Sequence, residues 1–287
     1  MFNFFKKKDK TSQDSASVRL IGDRTAGKTT YMASLARWPN ANPESLVQAV
    51  TAIDEGGQDL ISKAQNILEQ GLELESTQLS SNVSDVRDCT LQITLKEKNQ
   101  LLNLNVSCKD YSGEFFRDLL HQNNSQLEEY LEDCVQANGI IFLVDGSSRR
   151  KDSEYVNGLD KFLLLLDRND IAGSKKRIAL VLNKCEQPDL WVNRNKPEYL
   201  ASARFPQVCS RLKAWQKMGG GNIEFFTASA FGMLGTKYPE PNVNLLTRGR
   251  SGVTAVIRNP KLWRPFGLIA PIYWLCKGSR HPQLDNG

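Results

Sequence analysis

Near the start of the chain, Gly22-Asp23-Arg24-Thr25-Ala26-Gly27-Lys28-Thr29 places a glycine, four further residues, a second glycine, a lysine and a hydroxyl in one run. That spacing suits phosphate. Small residues let the backbone approach closely, and the loop N–H groups wrap a β-phosphate. Lys28 supplies a compact positive charge to the β/γ oxygens, and the Thr29 hydroxyl, with Thr30 beside it, completes a Mg²⁺ shell. The motif needs a strand before it and a helix after it. Ser17–Ile21 is apolar enough for the first, and Lys28–Arg37 reads as the second.

Two further strand ends carry chemistry-bearing residues. Asp110-Tyr111-Ser112-Gly113 closes the apolar run Leu101–Lys109. An acid at the tip of a strand beside a phosphate loop holds Mg²⁺ through a water, and the Gly113 N–H can reach a γ-phosphate. The plainer reading is a turn, since Asp, Ser and Gly are turn residues. Asn183-Lys184-Cys185-Glu186 follows the apolar strand Ile178–Leu182, and Thr227-Ala228-Ser229-Ala230 follows Ile223–Thr227.

Taken in order, GDRTAGKTT, DYSGE, NKCE and TASA, each at a strand end, resemble the Ras/Arf-like small GTPase superfamily over about residues 17–277. The combination of GKTTY with DYSGE is similar to the bacterial small-GTPase-like domains. The resemblance implies a P-loop G domain that binds GTP or GDP with Mg²⁺. It implies that Asn183 and Lys184 frame guanine, that Glu186 accepts from its N1 and N2, and that Ser229 and Ala230 contact its O6. The metal would be held by Thr29, Asp110 and a switch threonine, for which Thr77 is the choice and Thr90 the competitor, a β-former within a strand run. Three positions depart from the pattern: Glu186 stands where the family has Asp, Arg24 occupies a position often Gly or Asp, and Glu114 replaces the Gln that orients the attacking water. Lys28, Arg24 and Glu114 are the candidate catalytic residues, Arg24 as a built-in arginine.

The elements that must position these residues alternate along the chain. Strands apolar on both faces at Ile140–Val144, Arg177–Leu182 and Ile223–Thr227 alternate with helical patterns around Tyr155–Leu166 and Ala201–Met218. That alternation predicts a parallel sheet with helices on both faces. Asp88–Lys96 and Leu101–Lys109 predict a hairpin. The expected fold is therefore an α/β three-layer domain with a mostly parallel six-stranded sheet and one antiparallel edge strand. Residues 1–16 are expected to be a disordered basic and aromatic tail, 17–277 a single domain and 278–287 a C-terminal tail. Within the domain, a helical insert is expected at about 42–74, with Leu46, Val47, Val50 and Ile53 on its first helix, and a long loop at about 232–260.

With 287 residues the chain can bury a sizeable core. The net charge of +5 is uneven: residues 1–10 carry +3 and 241–287 carry +6, so the middle is net −4. That is not the uniform basic face of a nucleic-acid binder. Six scattered cysteines without a CxxC pair suit a reducing compartment, and no apolar stretch reaches membrane-spanning length, so the expected location is cytoplasmic. Phe2, Phe4 and Phe5 beside Lys6, Lys7, Lys8 and Lys10 raise weak peripheral membrane contact as the alternative to a solvated tail. The function implied is a GTP-binding switch with slow hydrolysis, read by a protein effector and served by an activating or exchange protein. The alternatives are a non-hydrolysing nucleotide-binding adaptor, favoured by Glu114, and an ATP-specific P-loop protein, favoured by Glu186.

Overall fold

A computed structural model of the chain describes residues 11–38, 45–68, 88–97, 100–110, 125–148, 150–169, 176–235, 240–248 and 252–285. Seven strands, β1 (Thr11–Ile21), β2 (Val47–Ala52), β3 (Asp88–Glu97), β4 (Gln100–Asp110), β5 (Gly139–Asp145), β6 (Lys176–Asn183) and β7 (Gly221–Thr227), form one sheet. Its order is β2-β3-β4-β1-β5-β6-β7. The five strands from β4 to β7 in that order run parallel, whereas β3 is antiparallel to both of its neighbours. The expected sheet of six is corrected to seven. The extra strand is β2, in the stretch that periodicity assigned to a helix. Val47, Val50 and Thr51 are β-branched, and β3 offers an open edge from Leu91 to Leu95 that β2 fills.

The helices are α1 (Lys28–Ala36), α2 (Glu55–Leu68), α3 (Ser125–Gln136), α4 (Asp152–Asn169), α5 (Pro188–Trp191), α6 (Pro197–Arg204), α7 (Pro206–Lys217), α8 (Ile269–Lys277) and α9 (Pro282–Asp285). Successive residues of a strand point to opposite faces, and the core divides accordingly. Val18, Leu20, Ile141, Leu143 and Val181 join side chains of α1, α2 and α8, among them Tyr31, Leu35, Leu60 and Ile272. Ile140, Phe142, Val144, Ile178 and Leu180 join Tyr130, Phe162, Leu163, Leu212 and Trp215 from α3, α4 and α7. The result is the expected three layers. Every residue of β5 is buried, as a strand covered on both sides requires. The β3–β4 hairpin instead alternates, burying Leu91, Ile93, Leu95, Leu102, Leu104 and Val106 on one face. On its other face Gln92 donates to Asn105 and Thr94 to Asn103 across the strands.

Other boundaries move for definite reasons. Strand β1 starts at Thr11, inside the stretch expected to be a tail, because ten consecutive residues from Thr11 to Leu20 pair with β4 despite their polar composition. The helix expected over Ala201–Met218 is two helices, since Pro206 pushes Phe205 to φ −133 and ψ 61 and ends α6 there. The expected loop 232–260 contains two small antiparallel sheets, β8 (Met233–Leu234) with β9 (Glu240–Pro241), and β10 (Val243–Arg248) with β11 (Gly252–Ile257). No described helix is long and apolar enough to cross a membrane.

The last long helix is fastened by a strand residue. Arg177 on β6 donates to the carbonyls of Leu275 (2.6 Å) and Cys276 (3.3 Å), satisfying acceptors that the end of α8 leaves open and placing a cation at its negative pole. We expect Arg177→Ala to lower unfolding free energy by about 1–2 kcal/mol. Urea unfolding with an unchanged m-value would check it; an unchanged midpoint would refute this role for Arg177.

Candidate functional site

Strand β1 ends in Ile21 and the chain turns at once through Gly22. A Cβ there would lie 2.2 Å from the Leu143 carbonyl oxygen on β5, so the tight passage of loop past strand admits only glycine. Residues 24–26 form a single 3₁₀ turn, and Gly27, at φ 82, leads into α1. Lys28 is buried, and its ammonium donates to the carbonyls of Gly22 (2.9 Å) and Asp23 (3.1 Å). The loop thus closes around its own lysine. Thr29 and Thr30 follow in the first turn of α1, both half-buried.

The Asn183 side chain joins this loop to a second strand end. Its Nδ2 donates to the Ala26 carbonyl at 2.8 Å across 157 residues of sequence, and both partners are buried. The next residue, Lys184, adopts the left-handed conformation at φ 62, which is uncommon for a residue with a side chain and is found at functional turns. Its ammonium meets Asp145 Oδ2 at 2.7 Å. Asp145 in turn accepts from the Ser147 hydroxyl (2.6 Å) and Ser147 N–H (3.0 Å). The main chain continues with Cys185 N–H donating to the Ala228 carbonyl, which draws the third strand end, after β7, against the second.

Glu186 is 3% exposed. The Ser229 side chain hydrogen-bonds its carboxyl, while Oε2 has no hydrogen-bond partner among the described residues, and neither has Asn183 Oδ1. Burial pushes the Glu186 carboxyl above its usual range, and the Ser229 bond and the Lys184 charge only partly offset this. Ser229 is heavily committed: its N–H and carbonyl pair with Phe266, and its hydroxyl accepts from Gly232 N–H. The Ala230 carbonyl accepts from Ser34 on α1 and from the Trp263 indole.

The structure therefore brings together Gly22, Asp23, Ala26, Gly27, Lys28, Thr29, Asn183, Lys184, Glu186, Ser229 and Ala230. Asp110 ends β4 in register with Leu20, next to the strand that delivers the phosphate loop. The side chains of Asp110 and Arg24, and the residues Thr77, Gly113 and Glu114, lie outside what the structure describes. Two participants were not found by reading the sequence. Asp145 had a signal available, an acid ending an apolar strand as Asp110 does. Lys151 had none: it sits in a polar link before α4, yet its ammonium pairs with the Asp23 carboxylate and lies 3.2 Å from the Thr25 hydroxyl.

A buried carboxyl whose folded-state pKa is raised destabilises the ligand-free fold at neutral pH, and that cost shrinks as pH falls toward the raised value. Glu186→Gln removes the charge and keeps the shape. We expect it to stabilise the nucleotide-free protein by on the order of 1 kcal/mol at pH 7, with the gain vanishing in acid. Thermal melting across pH reads this out; a gain that instead grew as pH fell would contradict the burial argument.

Comparison with known proteins adds the family. The profile of the Double-GTPase 1 family matches residues 19–179, more than half of the chain. No curated protein matches it. Among solved structures, a crystal structure of sup35 complexed with GDP is similar at 10% identity and a TM-score of 0.34. The match covers 80% of this chain and 40% of that one, too distant a likeness to bear on activity. The fold is an α/β three-layer P-loop G domain, its phosphate loop lies between β1 and α1, and the chain belongs to the Double-GTPase 1 family of GTPases.

Proposed function

We propose that this protein is a GTP/GDP switch: it binds guanine nucleotide with Mg²⁺, hydrolyses GTP slowly, and presents its nucleotide state to a protein partner in the cytoplasm. The observation that supports guanine most directly is the buried Oε2 of Glu186, which lacks a partner among the described residues. A carboxylate in that position accepts from the ring N1–H and exocyclic amine of guanine, whereas adenine presents an acceptor at N1. A group that satisfies this oxygen recovers part of the cost of burying it. The glutamate is one methylene longer than the aspartate of the small GTPases whose motifs this chain resembles, and Ser229 steadies it.

On the phosphate side, Lys28 would exchange its two loop carbonyls for β- and γ-oxygens. Thr29 and Asp110 would hold Mg²⁺, with Thr77 as the switch threonine. The metal would draw negative charge from the transferring phosphoryl group. Arg24 would add positive charge from within the loop, and Glu114 would be a weak substitute for a water-orienting glutamine because a carboxylate cannot donate to phosphate. Gly113 would turn its N–H to the γ-phosphate. Turnover on the order of 10⁻³ s⁻¹ or slower follows from this set. The segments around Thr77 and 110–117 would order with GTP and be read by the effector, and an activating or exchange protein would set the rate of cycling.

We expect at least about tenfold preference for GTP over ATP, equivalent to about 1.4 kcal/mol. Displacement of a fluorescent GTP analogue measures it, and equal displacement by ATP and GTP would leave the ATP-specific reading in its place. Lys28→Ala should abolish binding and remove the rise in melting temperature that ligand confers. In single-turnover hydrolysis, Arg24→Ala should slow phosphate release while affinity holds. No phosphate release from the wild type over many hours, even with cell extract supplying an activator, would favour the non-hydrolysing adaptor.

A further inference from the structure

Strands β10 and β11 form a two-stranded sheet apart from the central one. The base of this arm is firmly seated. Val256 and Ile257 are buried, and Val243 and Ala255 pack against the core. Asn242, fully buried, closes the base: its Nδ2 donates to the Asn259 carbonyl (3.0 Å), and its Oδ1 accepts from Asn259 N–H (2.7 Å). Beyond the base, Leu245 and Leu246 face solvent. Leu245 is 65% and Leu246 42% exposed, and as sequence neighbours on one strand they project from opposite faces. Leu262, 46% exposed, follows in the short turn after the arm.

The same segment is strongly basic. Residues 240–264 hold five Lys/Arg and one acid. That acid, Glu240, is paired with Arg258, while Lys261 and Arg264 are exposed. A strand covered on one face by a protein partner needs leucine on that face alone. Leucines on both faces of a projecting arm suit a medium that surrounds it, and the net positive charge suits an anionic one. Nucleic acid would match the charge and leave the leucines without a role.

We propose that the β10–β11 arm, with the turn Pro260–Arg264, docks on an anionic lipid surface, with Leu245, Leu246 and Leu262 at the headgroup–acyl boundary and Lys261 and Arg264 among the lipid phosphates. This goes beyond nucleotide binding and does not depend on it. A few leucines and cations give weak, reversible attachment that fades as salt screens the charges.

The test is sedimentation of the full chain with phosphatidylcholine vesicles, with and without phosphatidylserine. Binding is expected only with phosphatidylserine and should fall as salt rises. Lys261→Gln with Arg264→Gln should weaken it roughly 25-fold, at about fivefold per cation. Leu245→Ser with Leu246→Ser should weaken it at least about tenfold, since two exposed apolar side chains lose their burial. Both variants should keep the wild-type melting temperature, as the altered side chains are exposed. The proposal is overturned if the protein ignores vesicles or binds both kinds alike. It is also overturned if the arm variants bind as wild type while deletion of residues 1–10 alone releases the protein, which would assign the contact to the Phe/Lys terminus. Leucine substitutions that leave vesicle binding intact and dissociate an oligomer in light scattering would assign the arm to a protein interface.

Discussion

The hydrogen bond from Asn183 Nδ2 to the Ala26 carbonyl holds the end of β6 to the loop between β1 and α1, with β5 lying between those two strands. Several other features of the site follow from it. A Cβ on Gly27 would come 2.9 Å from the same Nδ2, so the close approach and the left-handed backbone both call for glycine there. The Leu143 carbonyl crowds Gly22 from β5. The phosphate loop is thus shaped from the side as well as by its own turn, and its spacing from the Asn183–Glu186 turn is set by the buried Asn183 side chain at the end of an interior strand.

That turn carries costs which the surrounding packing offsets. Lys184 occupies a left-handed backbone conformation, and Glu186 keeps a carboxyl in a buried setting with one oxygen lacking a partner among the described residues. Costs of this kind, of order 1–3 kcal/mol each, persist where the neighbouring structure over-determines the geometry. Here the determinants are visible. Asp145 holds the lysine, Ser229 holds the glutamate, and the Cys185 and Ala228 main chains bond to each other and to β6. The groups that carry these costs are the ones to which the proposed function assigns the base.

The C-terminal third belongs to this arrangement more closely than its position in the chain suggests. The Tyr31 hydroxyl of α1 donates to the Leu268 carbonyl (2.5 Å), and Ser34 of the same helix donates to Ala230. Helix α1 begins at the phosphate loop, so the segment leading into α8 and the turn after β7 both rest on the element that carries Lys28 and Thr29. Gly278 then caps α8, and Arg177 ties the end of that helix to β6. The residues after β7 hold α1 in place as well as reaching the Asn183–Glu186 turn.

Local chemistry made part of this legible from the residues in order. A phosphate loop is defined by backbone shape and a few side chains within eight residues, and strands buried on both faces declare themselves by apolar runs such as Ile140–Val144 in β5 and Ile178–Leu182 in β6. Asn183, Lys184 and Glu186 were recognisable because they follow such a strand directly. Where a partner distant in sequence supplies the stabilisation, the pattern misled or was silent. Val47–Ala52 carries apolar spacing that a helix also satisfies, and only the open edge of β3 makes it a strand. Thr11–Ala16 has the composition of a solvated tail, and the alternating Leu, Asn and Val of β4 make it a central strand. The link of Asn183 to Ala26 and the pairing of Lys151 with Asp23 span more than a hundred residues each. The sequence by itself determined which strand ends carry the loop and turn motifs; the tertiary structure decided which strands exist and which side chains meet, because those energies arise only when distant segments pack together.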